Sequence, residues 1–474
     1  MEYAVKFLFV KRFQVRSQSS VKRFGIQYWG LLATLIMLFF LGGSSRSDAQ
    51  SLLLLSPVIV LLSGIGLSTL SSVQLRIYKF SFGGFGIIAL LALIHSIPFT
   101  ELVGLSSQGL IDIETVRRDV GLSSISSEQG VSFNLPWASI FSLFAPFSVY
   151  LFAIQLERGE LSRTLAPVAF LGLISAVLGL SQLIGGRNAP LYLYQITNEG
   201  SAVGLFANRN HAAVFLSCLF PAWTVFAGSE GLSRKFNPKL TLLLSAIGAM
   251  LLILLILMTG SRAGLLTGVI GIFGAILLYS SKKKSSPETK NASRSRLLTL
   301  ISVLFLIGCL VFLSIYFSRA LAVDRLFQVE GAANIRGSIW RASYPLFWLY
   351  FPLGFGSGSF GSVFTYIEPL GLLSSTYVNR LHNDWLETAL TFGVPGILLM
   401  LAGVGYYLRR SFVLWMRMDG ARSAVALGRM ASIVIAILGI ASLSDYPLRT
   451  PAMAGFAALV LVWFAHARYD PNLR

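Results

Sequence analysis

The chain has 474 residues, of which 55% are hydrophobic and only 12% are charged. A soluble protein carries roughly twice that share of charged residues, about 25%, so the composition excludes a soluble globular domain and indicates an integral membrane protein. The formal net charge of +18 suggests a nucleic-acid partner only if the positive charge is not explained by membrane topology.

Membrane spans are predicted from apolar runs, because a helix that crosses a bilayer needs about 20 apolar residues. Twelve runs qualify: 27–43, 51–70, 81–98, 137–155, 164–185, 210–228, 239–258, 263–280, 297–317, 392–408, 427–444 and 451–467. The sequence therefore predicts an all-α polytopic membrane protein with about twelve transmembrane helices, nine in residues 27–317 and three in 392–467. Residues 1–26 are basic and lack a small-residue cleavage site, which favours a cytoplasmic signal anchor.

The positive charge is distributed unevenly across the predicted membrane. With the N-terminus inside, the inner segments hold 26 of the 38 Lys and Arg residues, all ten Lys among them, but only 7 of the 20 acidic residues. This follows the positive-inside rule and predicts that both termini are cytoplasmic. The basic excess is thereby explained by topology, and we expect no nucleic-acid partner. Two outer segments are longer than hairpins: 99–136 and the large loop 318–391 between late helices.

Polar residues at two predicted helix starts are candidates for binding an anionic substrate. Asn208, Arg209, Asn210 and His211 begin the sixth span, where free N–H groups and the positive helix end attract anions. Ordinary capping by Asn and a snorkelling Arg explain the same residues. Arg262, in the turn TGSRAG, has a planar guanidinium that suits a diphosphate, although it could equally reach lipid headgroups.

The large loop contains a helical pattern followed by a glycine-rich run. Apolar positions recur at helical spacing: Ile335, Ile339, Ala342, Leu346 and Tyr350. They predict a surface-lying amphipathic helix, of the kind that anchors at a membrane interface, with Arg336 and Arg341 near its start. The run LGFGSGSFGS can present backbone N–H groups to phosphate, and a flexible turn is the simpler interpretation.

The segment RLHNDWLETALTFG combines a histidine with a helix start. Asp384 and Glu387 have the spacing of a capping box, which places His382 just before the tenth span. A histidine beside several arginines can accept a proton from an attacking hydroxyl near neutral pH, although a single exposed histidine is more often structural. In the last hairpin, Asp445 could orient His382 or an arginine, cap a helix, or pair with Arg449.

These motifs together resemble the O-antigen ligase/polymerase superfamily, the Wzy-type membrane enzymes of polysaccharide assembly. The resemblance covers roughly residues 165–465 and rests on GLFANRNHAA, TGSRAGLL, the R-x3-W stretch through PLGFGSGSF, and HNDWLETALTFGVPGILL, followed by SDYPLRTPA. It implies a glycosyltransferase C-like helix bundle with a large periplasmic loop in the bacterial inner membrane. It also implies transfer of a glycan from an undecaprenyl-pyrophosphate-linked donor to an acceptor hydroxyl, without metal or other cofactor.

The resemblance also implies roles for individual residues. Arg209, Arg262 and Arg336 would bind the pyrophosphate, His382 would be the general base, and Asp445 would support the histidine or the arginines. Asn210 and Arg341 are further candidates for substrate binding. The choice of the loop arginine is open among Arg319, Arg325, Arg336 and Arg341.

Several functions remain open on the sequence alone. The acceptor could be lipid A–core, a growing glycan or a protein hydroxyl, with membrane lipids as further partners. A transporter, for example of inorganic carbon, is the main alternative because twelve spans are common in carriers. The near absence of acidic residues within the spans, and of a visible half-to-half repeat, argues against it. A structural assembly partner without catalysis would tolerate replacement of the outer Arg and His residues.

Overall fold

A computed structural model describes residues 24–46, 49–94, 134–186, 189–228, 237–283, 329–372, 378–417 and 423–466. The regular structure of these residues is helical, and no strand occurs among them. The predicted all-α fold is therefore confirmed for the described part of the chain. The predicted span 297–317, the basic N-terminus and most of the outer segment 99–136 lie outside it.

The helices, numbered in chain order, follow the predicted spans closely. They are α1 (Ile26–Leu41), α2 (Ser51–Ser68), α3 (Ser72–Ile77), α4 (Lys79–Ile94), α5 (Asn134–Ala153), α6 (Arg158–Arg163), α7 (Leu165–Gly185), α8 (Arg209–Ala227), α9 (Pro238–Thr259), α10 (Arg262–Lys283), α11 (Val329–Leu349), α12 (Phe360–Ile367), α13 (Asp384–Phe412), α14 (Ser423–Ala441) and α15 (Pro451–His466). Short 3-10 turns occur at Leu370–Leu372 and Pro447–Arg449, and a π-helical turn, Val413–Arg417, continues α13.

Six of the described helical segments are long and apolar enough to cross a membrane. They are Ser51–Ser68, Gly159–Gly185, Arg209–Ala227, Arg262–Ser280, Asp384–Met416 and Ala424–Ala441. Shorter apolar helices lie at Ile26–Leu41, Lys79–Ile94, Ser139–Ala153, Leu243–Thr259 and Pro451–His466. The chain is thus a polytopic membrane protein, and the total of twelve spans remains a prediction.

Helices α8 and α10 pack closely in parallel. A Cβ at Gly264 would lie 2.3 Å from the Cβ of Ala213, and one at Gly271 would lie 2.5 Å from the carbonyl oxygen of Ser217. Between these contacts, the hydroxyls of Ser217 and Thr267 are 3.0 Å apart. Small residues permit such close approach of membrane helices. Because the contacts ascend together along both helices, α8 and α10 begin at the same end of the bundle.

Helix α13 runs antiparallel to α14. The indole N–H of Trp385 donates to the carbonyl of Gly439 at 2.9 Å, and the hydroxyl of Tyr407 donates to the carbonyl of Ser432 at 3.1 Å. The start of α13 therefore lies beside the end of α14 and the short link to α15. We call the end of the bundle at which α8, α10, α13 and α15 begin the site end.

The regular hydrogen bonding of α13 is interrupted at Gly393, whose φ is 55°. The N–H of Val394 leaves the helix and donates to the carbonyl of Pro352 at 2.8 Å. Pro395, the next residue, has no N–H to donate. Two carbonyl groups one turn earlier in α13 consequently lose their usual helical partners.

The glycine-rich run supplies the missing donors. Phe355 donates its N–H to the carbonyl of Leu390 at 3.2 Å, and Gly356 donates to the carbonyl of Thr391 at 3.0 Å. Gly354 donates to the carbonyl of Tyr350 at 2.8 Å. The less favoured alternative for this run, phosphate binding, is therefore not available to residues 354–356, because their N–H groups already bond to the carbonyls of Tyr350, Leu390 and Thr391.

We expect Gly393→Ala to destabilise the protein strongly. A Cβ at this position would lie 2.1 Å from the carbonyl oxygen of Pro352, and the backbone has a positive φ. The unfavourable φ alone costs about 1–3 kcal/mol. Thermal unfolding of the purified protein in detergent measures the effect. Gly403→Ala is the matched control, since Gly403 lies in the same helix with open space around it; equal melting temperatures for the two variants would contradict the expectation.

Candidate active site

The described part of the large loop packs into its own hydrophobic cluster against the start of α13. Ile339 and Leu346 of α11 are buried in it, together with Phe360 and Leu381. The indole N–H of Trp340 donates to the carbonyl of Leu381 at 2.8 Å. The helix predicted from the apolar spacing is thus confirmed as α11, and it packs beside the residues that precede His382.

The start of α13 is capped differently from the prediction. Asn383 is the N-cap residue, and its side-chain oxygen accepts from the N–H of Leu386 at 3.0 Å. The predicted capping box of Asp384 and Glu387 is therefore wrong, because the helix begins at Asp384 itself. Both carboxylates bind arginines instead.

Two buried carboxylates and two half-buried arginines form a network at this helix start. Arg449 donates from Nε to Asp384 at 3.1 Å, and its Nη2 lies 3.5 Å from Glu387. Arg380 donates to the same Glu387 oxygen at 3.1 Å. Glu387 also accepts from the N–H of Leu381 at 2.9 Å. The alternative of a local Asp445–Arg449 pair is thus not realised, and the network fixes residues 380–384 against the link before α15.

His382 has a left-handed backbone conformation, with φ 57°, the only positive φ among the described non-glycine residues. Such values are uncommon outside glycine, asparagine, aspartate and histidine. The backbone N–H groups on either side are fixed, because Leu381 donates to Glu387 and Asp384 donates to the carbonyl of Ser442. His382 Nδ1 lies 3.6 Å from Oδ1 of Asp445, and its side chain remains 29% exposed.

Asp445 is buried, and polar groups surround its carboxylate. Asn210 donates from Nδ2 to Oδ2 at 2.5 Å, and the N–H of Tyr446 donates to Oδ1 at 3.0 Å. His211 Nε2 lies 3.8 Å from the same Oδ1. Burial raises the pKa of Asp445, but the neighbouring His211 and His382 outweigh it, so that the pKa lies below its usual range. The carboxylate is therefore ionised at neutral pH.

His211 and Tyr446 complete this cluster; the sequence placed His211 in a candidate anion-binding motif but gave it no individual role, and it gave Tyr446 none. The Tyr446 ring packs edge-on against both imidazoles, with ring centroids 5.3 Å from His211 and 4.9 Å from His382. Burial, and then the charge of Asp445, raise the pKa of Tyr446, so its phenol stays protonated and cannot serve as a base. The one sequence signal for His211 is its position in the NRNH motif at a predicted helix start.

The predicted arginines occupy different positions at this end. Arg209 and Arg262 are the first residues of α8 and α10, and the contact of Gly264 with Ala213 places Arg262 level with His211. Arg209 is half-buried and Arg262 is exposed. Arg336 lies one helical turn before Trp340 and therefore shares the face of α11 that meets Leu381.

Arg341 lies on a different side of α11 from Arg336, about 140° around the helix at 3.6 residues per turn. It donates to the hydroxyl of Ser338 at 3.2 Å. Ser338 and Arg341 line an open cavity of about 470 Å³ together with Pro369 and Leu372. Arg336 is therefore the better candidate for the loop arginine of the site. Arg319 and Arg325 lie outside the described residues.

These features define a polytopic helical membrane protein with a partly exposed histidine, a buried aspartate and helix-start arginines at one end of its bundle. Within the described residues, no group of three or more His, Cys, Asp or Glu side chains is arranged to hold a metal ion. Residues 247–401 match the family described as O-antigen ligase. This match confirms, over these residues, the resemblance inferred from the motifs. No curated protein matches the chain.

Proposed function

We propose that this protein is an inner-membrane glycosyltransferase of the O-antigen ligase/polymerase type. It moves a glycan from an undecaprenyl-pyrophosphate-linked donor to an acceptor hydroxyl at the periplasmic face. The observation that carries the proposal is the pairing of His382 Nδ1 with the buried Asp445 carboxylate at 3.6 Å. This pair lies at the site end, where Arg209 and Arg262 begin their helices.

The His382–Asp445 pair brings together the two groups that general-base catalysis uses, at a separation longer than a hydrogen bond, as is common in a site without substrate. With Nδ1 turned to Asp445, the remaining ring nitrogen, Nε2, is free to take the proton of the acceptor hydroxyl. The carboxylate orients the imidazole and stabilises the imidazolium that forms. The hydroxyl oxygen then bonds to the anomeric carbon while the bond to the pyrophosphate oxygen breaks and its electron pair leaves with the pyrophosphate. Attack from the opposite face inverts the anomeric configuration.

Asn210 and His211 support this pair rather than the substrate. Asn210 was expected to bind substrate, but its Nδ2 donates to Asp445 at 2.5 Å. His211 is buried and lies 3.8 Å from the carboxylate oxygen that faces His382. We assign both residues a positioning role, because Asn210 holds the carboxylate by a hydrogen bond and the buried His211 ring packs beside it.

Arginines stabilise the leaving group. Negative charge grows on the pyrophosphate as the glycosidic bond breaks, and preorganised donors that meet this charge lower the barrier. We assign this role to Arg209, Arg262 and Arg336. The starts of α8 and α10 add the positive ends of two helix dipoles. Arginine does not lose its proton in proteins, so its contribution is electrostatic.

A strain that lacks the gene tests the proposal. We expect His382→Ala, Arg262→Ala and Arg336→Ala, each at normal membrane levels, to lose surface glycan and accumulate lipid-linked precursor. Arg163→Ala is the matched control, because Arg163 stacks over Phe24 at 5.3 Å, away from the cluster. Full surface glycan from all three site variants would overturn the proposal. In the deletion strain, loss of long chains on lipid A with polymer still made on the carrier would identify a ligase.

A further inference from the structure

Helix α11 has a buried side and an exposed apolar side. Ile339 and Leu346 are buried in the loop cluster. On the other side, Tyr344 is 63% exposed, Trp348 is 61% exposed and Phe351, just after the helix, is 53% exposed. Leu349 and Leu353 are exposed as well. An apolar surface of this kind calls for a partner.

Two contacts fix the direction of α11 relative to α13. Near its middle, Trp340 donates to the carbonyl of Leu381, which precedes α13. After its end, the carbonyl of Pro352 accepts from Val394, well inside α13. At 1.5 Å per residue, the nine residues from Trp340 to Leu349 correspond to about 14 Å, and α13 advances about 15 Å between its start and Val394. Helix α11 therefore descends beside α13 instead of lying flat on the surface as predicted.

The length of α13 places this descent within the bilayer. Arg409 and Arg410 lie in the last turn of the helix, and Arg410 donates to the carbonyls of Phe464 and Ala465 at the end of α15. The hydrocarbon core is about 30 Å thick, which corresponds to roughly 20 helical residues. Counting back from Arg409 reaches residue 389, or thereabouts. Gly393, and the turn 351–353 packed against it, then lie inside the edge of the hydrocarbon.

We infer that residues 344–353 form a re-entrant element that enters the membrane leaflet on the His382 side. Its partner is lipid, with Phe351 and Leu353 against acyl chains and Trp348 at the interface that tryptophan favours. Backbone polar groups in lipid must be satisfied internally. The turn meets this condition where it is closest to α13, because the N–H of Gly354 and the carbonyls of Tyr350 and Pro352 are hydrogen-bonded.

The inference stands apart from the proposed reaction, since it depends only on the membrane location of α13. It nevertheless bears on the site. The contact of Trp340 with the Leu381 carbonyl joins the re-entrant element to the residue before His382. Lipid contact at one end of this element thereby fixes the height of His382 above the leaflet.

Depth measurements in lipid vesicles test the inference. In the full chain with Cys218→Ala and Cys309→Ala, single nitroxide labels are placed at Phe351 and Leu353 and at two reference positions. Leu398, in the middle of α13, marks the hydrocarbon. Leu370 marks the aqueous side, because its turn lines the open cavity that contains Arg341, a charged residue that hydrocarbon disfavours. Electron paramagnetic resonance compares relaxation by oxygen, which concentrates in lipid, with relaxation by a water-soluble nickel chelate.

We expect the labels at Phe351 and Leu353 to resemble Leu398, with oxygen more effective than the chelate. Profiles that match Leu370 would overturn the inference. A photoreactive benzophenone side chain at Phe351 repeats the test in a chain that keeps both cysteines. It should give lipid adducts by mass spectrometry, whereas the same group at Leu370 should not. Equal labelling at the two positions, or no lipid adduct at Phe351, would contradict lipid contact.

Discussion

Substitution of His382 by Asn is expected to reduce glycan transfer by about 10²–10⁴-fold, the typical contribution of general-base catalysis, while the fold is retained. The backbone at this position has φ 57°, a conformation that Asn adopts more readily than most residues. A carboxamide cannot take up the proton of the acceptor hydroxyl. Transfer is measured in proteoliposomes with a lipid-linked donor, and the fold by thermal unfolding.

The choice of replacement separates chemistry from backbone strain. His382→Gly also suits the positive φ, so it should be equally inactive, whereas His382→Ala adds strain to the loss of the base. Transfer near the wild-type rate in the Asn and Gly variants would remove His382 from the chemistry. Because the pKa of Asp445 lies below its usual range, loss of activity in mild acid would not come from protonation of Asp445.

Replacement of Arg449 by Ala is expected to lower the free energy of unfolding by about 3–5 kcal/mol, the usual cost of removing one partner from a buried ion pair. Arg449 contacts both Asp384 and Glu387, whose side chains are 11% and 1% exposed. Its removal leaves Asp384 with the hydroxyl of Ser442 but without an ionic partner. Denaturation in mixed detergent micelles measures the loss.

A charge-balanced double variant checks the cause. Arg449→Ala combined with Asp384→Asn removes the unpaired carboxylate and should recover part of the lost stability. Arg449→Lys should have a free energy of unfolding below that of the wild type. A single ammonium group cannot reproduce the contacts that the guanidinium makes to two carboxylates. A double variant no more stable than Arg449→Ala alone would show that the ion pair is not the source of the effect.

The helices were predictable from composition, whereas hydropathy alone missed the start of α13. Hydropathy placed the tenth span at 392–408, but the helix begins at Asp384. Asp384 and Glu387 lower the apolar score of the first turns, so a search for apolar runs passes over them. They are nonetheless buried because Arg449 and Arg380 neutralise them. Arg449 is 65 positions away from Asp384 in the chain, and such a partner cannot be read from local spacing.

The candidate site was predictable in its residues but only partly in its contacts. The motifs identified His382 and Asp445, and their pairing was one of several open alternatives. Asn210 was predicted to bind substrate, and its contact with Asp445 spans 235 positions. The glycine-rich run offered free N–H groups to any acceptor. Only the break at Gly393 and Pro395 shows which carbonyls required them.

The close parallel packing of α8 and α10 means that two glycines, which take no part in the reaction, determine the distance between the starts of these helices. A methyl group at Gly264 or Gly271 would collide with Ala213 or with the backbone of Ser217. Either collision would spread the helices and move the start of α10, with Arg262, away from the start of α8. Inactivating mutations should therefore cluster in an apolar stretch that contains no reactive side chain. Relatives that use donors of a different size are therefore expected to differ in their loops, and to keep small residues where α8 meets α10.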